Sequence, residues 1–112
     1  MFVTTTFTIE RHEIVEYKGV VRGITVRSPT IVQDTLGSLK AFIGGRVGAY
    51  ADMCEQARKQ AYDDMLAHAS EMGANAVIGV RYDASEVVSK LSATEVLCYG
   101  TAVVIRPIAS VG

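Results

Sequence analysis

The chain has 112 residues and a mass of 12.0 kDa, the size of one domain. Apolar residues make up 49% and charged residues 21%, with a mean hydropathy of +0.24, so disorder, which needs low hydrophobicity and high net charge, is excluded. A net charge of −1 and a pI near 6.1 argue against nucleic acid or an anionic membrane as partner, since either calls for a basic surface.

Met1–Ile9 (MFVTTTFTI) is rich in Thr, Val and Phe and reads as a short strand or arm. Glu13–Ser28 (EIVEYKGVVRGITVRS) is a long β-type run in which Gly19 and Gly23 suggest bulges or bends. Alternation places Ile14, Val20, Ile24 and Val26 on one face and Val15, Tyr17 and Val21 on the other. Pro29 ends the run, and the spacing of Val32, Leu36, Leu39 and Ile43 predicts a short helix over Thr30–Ile43, stopped by Gly44-Gly45.

Arg46–Met72 contains no Pro and is built from Ala, Met, Leu, Glu, Gln and Lys, strong helix formers. At 100° per residue, Val47, Tyr50, Cys54, Ala57, Ala61, Met65 and Met72 fall within about 60° of Cys54. Asp52, Gln56, Lys59, Asp63 and Ser70 lie opposite, so the helix is amphipathic with an apolar stripe of small residues. Gly73 suits a left-handed stop. Asn75–Tyr82 and Ser92–Arg106 are the last strands, joined by Ser85–Leu91 as a hairpin-like connection or strand extension. The expected fold is a two-layer α+β domain over residues 1–112 in β-α-α-β-β order. Its largely antiparallel sheet is covered on one face by the long helix.

The closing strand is apolar on both faces. Val96, Cys98, Gly100, Ala102 and Val104 point one way, and Leu97, Tyr99, Thr101, Val103 and Ile105 the other. One long helix covers one face, so the expected partner is a second copy of the chain, in a homo-oligomer. The alternative is that the short helix Thr30–Ile43 covers the second face. No charged segment leads into an apolar stretch, so no signal peptide is expected, and no run reaches the length of a membrane helix. Two isolated thiols, Cys54 and Cys98, fit a cytoplasmic chain with both reduced; a single disulfide between them is the alternative.

Ile14-Val15-Glu16-Tyr17-Lys18-Gly19-Val20-Val21, Gly44-Gly45-Arg46 with Tyr50, Ala57-Arg58 with Ala61, Gly73–Val80 (GANAVIGV) and Tyr99-Gly100-Thr101-Ala102-Val103 follow one another along the chain. Together these motifs resemble the YbjQ-like family of small uncharacterised proteins. The likeness spans about residues 3–106, departing only between Ser28 and Lys40, where Ser28-Pro29-Thr30 and Gln33-Asp34 replace the family's usual steps. It implies a fold like that of dodecin subunits, a ring that is typically a pentamer, and heavy-metal binding, hence a metal ion as the possible cofactor.

A metal site would draw on Cys54, Cys98, His12, His68 and four Met. Cys54 and His68 share a helix face but lie 14 residues, roughly 21 Å, apart, so one ion cannot touch both in one subunit. Cys54 and Cys98 meet only if the last strand passes under the helix, and the favoured reading of both is as small buried hydrophobes. His68 reads as a packed residue with Asp64 as its i−4 partner, and His12 as a solvated turn residue.

Gly44, Gly45, Arg46 and the free N–H groups of the helix start, with Tyr50 one turn on, form a candidate anion cradle; the alternative is a tight turn with Arg46 paired to a neighbouring subunit. Arg58 projects about 40° from the stripe centre and reads as an ion pair fixing helix to sheet or subunit to subunit. Its candidate partners are Glu16, Asp83 and Glu95, and a ligand-gripping arginine is the other reading. No hydrolytic triad or nucleophile elbow is legible, so no enzymatic activity is expected; a ligand-binding ring, an enzyme with an interface cleft and a structural module are the competing functions.

Overall fold

Strand pairing sets the architecture. The computed structural model of the chain describes residues 1–27, 46–87 and 93–109. The elements are β1 (Phe2–Val3), β2 (His12–Arg27), α1 (Arg46–Glu71), β3 (Ala76–Val87) and β4 (Ala93–Pro107). They form one four-stranded sheet in the order β1-β3-β4-β2. β1 runs parallel to β3, and the other pairings are antiparallel. With α1 on one face, this is the two-layer α+β fold expected. β3 extends to Val87, so Ser85 begins as strand extension. The short helix expected over Thr30–Ile43, and its Gly44-Gly45 stop, lie outside the described residues.

The N-terminal arm is a strand over two residues only, yet it stays on the sheet. Thr4 N–H donates to the Val77 carbonyl (3.0 Å), Val80 N–H to Thr4 (3.1 Å) and Gly79 N–H to Thr6 (2.8 Å). Gly79 takes φ +63°, at a register shift between Ile78 and Arg81, and the Phe7 ring fills the place a Cβ would occupy. The backbone there needs the left-handed region, which glycine enters at no steric cost. The arm thereby helps close a small apolar cluster of Ala76, Ile78, Val103 and Ile105, with Ile9 and Ile14 against it.

α1 buries Ala57, Ala61, Met65 and Ala69 against Val21, Val77, Val96, Cys98 and Ala102. That is the stripe read from the 100° periodicity; the side chains of its first residues, Val47 and Tyr50 among them, lie outside the described ones. The helix ends as expected at Gly73, φ +80°. Gly73 N–H donates to Ser70 and Ala74 N–H to Ala69, the paired bonds of a Schellman stop. Asn75 then joins sheet to helix: its side-chain amide donates to the Ile105 carbonyl (2.9 Å) and accepts from Ile105 N–H (2.7 Å).

Gly23 differs from its sequence reading. It pairs in register with Cys98 without a bulge and lies under α1, where a Cβ would collide with the Ala61 carbonyl and stand 2.7 Å from Met65 N. Its role is close approach of helix to sheet. The bulges fall instead at Ile14/Glu16 and Tyr17/Gly19. They insert one residue each, so Tyr17 pairs with Val103 and joins the face of Ile14, not that of Val21 as strict alternation implied.

Two outcomes follow. Gly23→Ala lowers unfolding free energy by about 2–3 kcal/mol, as overpacking against backbone does, measured by urea denaturation. Asn75→Ala strands the Ile105 backbone groups and costs about 1–3 kcal/mol in the same assay.

Candidate functional site

α1 rests mainly on β2 and β4 and leaves most of β3 uncovered. An open cleft of about 590 Å³ lies where helix and strand diverge, lined by Glu55, Arg58, Lys59, Tyr62 and Tyr82. Tyr82 pairs with Cys98 across the sheet, which puts both side chains on the helix side. Cys98 is fully buried, and its Sγ lies 3.6 Å from the Met65 Sδ, which accepts its weak S–H bond. Burial pushes the Cys98 thiol up, against the opposing pull of the neighbouring Tyr82 phenol. Burial also pushes the Tyr82 phenol up, helped by Cys98 and Tyr62 and opposed by the Arg58 charge.

The residues singled out in the sequence fall in different places. Arg58 is exposed on the cleft wall. The ion pairs among the described residues are Lys18–Glu16, Lys59–Asp63 and Arg106–Glu13, so among those residues Arg58 forms no ion pair from helix to sheet. An exposed guanidinium stays solvated and needs no such partner. Gly44 and Gly45 of the anion cradle lie outside the described residues. Arg46 and Tyr50 stand in the first turns of α1, with side chains outside them.

Cys54 and Cys98 are free thiols, not a disulfide. β4 does pass under α1, but it brings Cys98 to Met65, which is 11 residues and about 16 Å of helix beyond Cys54. His68 is packed, as expected, but its Nδ1 accepts the Arg22 backbone N–H (3.3 Å). Asp64 is engaged by Gln60 instead (3.0 Å). His12 is not a solvated turn residue: it opens β2, its Nδ1 meets the Glu10 carbonyl at 2.8 Å and its ring packs on Phe2.

Every Cys, His and Met of the sequence is among the described residues. Among the described residues no group of three or more His, Cys, Asp or Glu converges on one point, so those residues build no four-ligand zinc centre. The donor pair in direct contact is Cys98 with Met65, both soft sulfur ligands. Sequence reasoning placed Met65 on the apolar stripe and counted it among four methionine donors without pairing it to a thiol. The helix angle that faced it to the sheet was available, but the strand register that set Cys98 beneath it was not.

The raised thiol and phenol give a pH signature. A group holding its proton more tightly when folded stabilises the fold fully below its unfolded value and loses that contribution as pH rises through the folded one. Unfolding free energy therefore declines once pH passes about 8.5, where an unfolded thiol ionises first. In Cys98→Ala the thiol's share of that alkaline decline disappears, read from denaturation midpoints between neutral and alkaline pH.

Comparison with known proteins agrees with this architecture. Residues 1–106 match the model of the YbjQ-like family described as "Putative heavy-metal-binding". A UPF0145 protein of Francisella tularensis subsp. tularensis is 51% identical over 106 residues, covering 95% of this chain and all of the relative. One from Francisella philomiragia is 52% identical over the same span, and one from Legionella pneumophila 50% over 105 residues, covering 94% of this chain and 98% of the relative. A crystal structure of a DUF74-family protein of unknown function from Pediococcus pentosaceus superposes with a TM-score of 0.58, at 18% identity, covering 95% of this chain and 98% of that one. With its fold matched and its sequence aligned across nearly its whole length, the chain belongs to the YbjQ-like family.

Proposed function

We propose that this chain is the protomer of a homo-oligomeric ring that binds an ion or small ligand in the cytoplasm. The observation that carries this reading is the sheet face turned away from α1. Val20 (70% exposed), Ile24 (46%), Val26 (55%) and Tyr99 (37%) lie there around the exposed Arg22, beside half-buried Leu97. A largely apolar face of this kind marks an interaction surface.

β2, 16 residues long at the sheet edge, adds a backbone edge for a neighbour. The ring size of five follows the family resemblance. Two free thiols suit a reducing compartment, and among the described residues no helix is long and apolar enough to cross a membrane.

Binding rather than catalysis suits the cleft. Its phenol and the thiol beneath are both pushed up, away from the neutral range in which acid–base groups work best.

Light scattering after size exclusion at micromolar concentration gives a mass several times 12.0 kDa, and Ile24→Lys lowers it. A 12.0 kDa species for the unmodified chain overturns the proposal and assigns the face to the chain's own residues 28–45.

A further inference from the structure

A charge stands amid the apolar residues of the face turned from α1. Arg22 lies between Val20 and Ile24 on β2, in register with Tyr99. Any contact that takes this face out of water takes Arg22 with it, and a guanidinium leaving water needs an acid to receive it. Among the described residues Arg22 forms no ion pair. We infer that its acid is Asp83 of a neighbouring copy, and that this pair fixes how one copy sits against the next. The inference rests on the self-association proposed above and adds its polarity and its orienting contact.

The sheet sets the two charges on one face at opposite margins. Asp83 pairs with Leu97 and Leu97 with Ile24, so Asp83 shares the face of Ile24 and Arg22. β2 is one edge of the sheet. On the other side, the arm's hydrogen bonds to β3 end at Val80, so from Arg81 onward β3 has no outer strand beside it among the described residues. Two strand spacings, about 10 Å, separate β2 from β3, with Tyr99 of β4 between them.

Asp83 is exposed and forms no ion pair among the described residues. A cation stands two residues away, but the arm holds it. Arg81 Nη1 donates to the Thr5 carbonyl (2.9 Å) and the Val80 carbonyl (2.8 Å), and the guanidinium lies over the Phe7 ring. Glu95 also has a register position on this face, but it is half-buried on the inner strand β4 and not at a margin.

Opposite margins meet when copies follow one another head to tail. β2 and β3 both run antiparallel to β4, so the β2 margin of one copy meets the β3 margin of the next without either turning over. That contact is heterologous, and it makes a ring when the rotation closes. His68 Nδ1 already accepts the Arg22 N–H (3.3 Å), so at this position the side chain makes the contact and no backbone ladder continues. A guanidinium on a carboxylate is two-pronged and directional. It sets register where apolar residues alone would let the faces slide.

Sedimentation velocity over a concentration series tests this on the full chain. The samples are Arg22→Glu, Asp83→Arg, their equimolar mixture and the double variant carrying both changes. Both residues are exposed, and circular dichroism checks that each variant is folded. Each single variant sets like charges across the contact and raises the concentration at which copies separate at least about tenfold. The double variant exchanges the signs and returns that concentration to within about threefold of the unmodified chain. Mixing the single variants yields assemblies that neither forms alone, because the pair joins different copies. A monomeric unmodified chain overturns the self-association reading and the pair with it. An unmodified chain that assembles while Arg22→Glu separates no more readily overturns the pair alone, as does a double variant that assembles no better than the single ones.

Discussion

The approach of α1 to β2 at Gly23 is the constraint on which the rest depends. A glycine below the Ala61 carbonyl, with Ala57, Ala61 and Ala69 along the stripe, lets the helix axis come closer to the sheet than side chains of ordinary size would allow. That depth sinks Met65 into the sheet and brings its sulfur to Cys98. It also keeps the helix over β2 and β4, so that β3 is left to form the wall of a cleft. Stop, cap and sheet are tied together one turn later, where the Gly73 turn hands the chain to Asn75 and its amide clamps Ile105.

A helix held that tightly to one face cannot serve the other. Among the described residues, the N-terminal arm covers one end of the second face with Ile9 and Phe7, and the other end carries exposed Val20, Ile24 and Val26 around Arg22. The strands are long, 16, 12 and 15 residues, against a usual five or six.

The parts of the fold that were legible are those fixed by local rules. Periodicity gave α1 its buried stripe, Gly73 its stop, and alternation the two faces of β4, because each depends on residues within a turn or two. What the sequence hid depends on distant partners. Gly23 looked like a bend because nothing nearby says that a helix lies overhead. Tyr17 changed faces because two bulges add residues whose positions only the pairing partner fixes. His68 turned from Asp64 to the Arg22 backbone for the same reason. Of the candidate site, Cys98 was expected to meet Cys54 if the last strand passed under the helix; the strand does pass there, and the register sets Cys98 against Met65. Arg58 was read as needing a partner because its angle said nothing of the cleft that keeps it wet.

The central claim is that the stripe from Val20 to Val26 is surface reserved for a neighbouring copy. Amide hydrogen exchange along β2, followed as the protein is diluted, addresses it directly. The account predicts slow exchange over Val20–Val26 at micromolar concentration and faster exchange on dilution as copies separate, while α1 from Ala57 to Ala69 changes little. Exchange over Val20–Val26 that is the same at every concentration would contradict it.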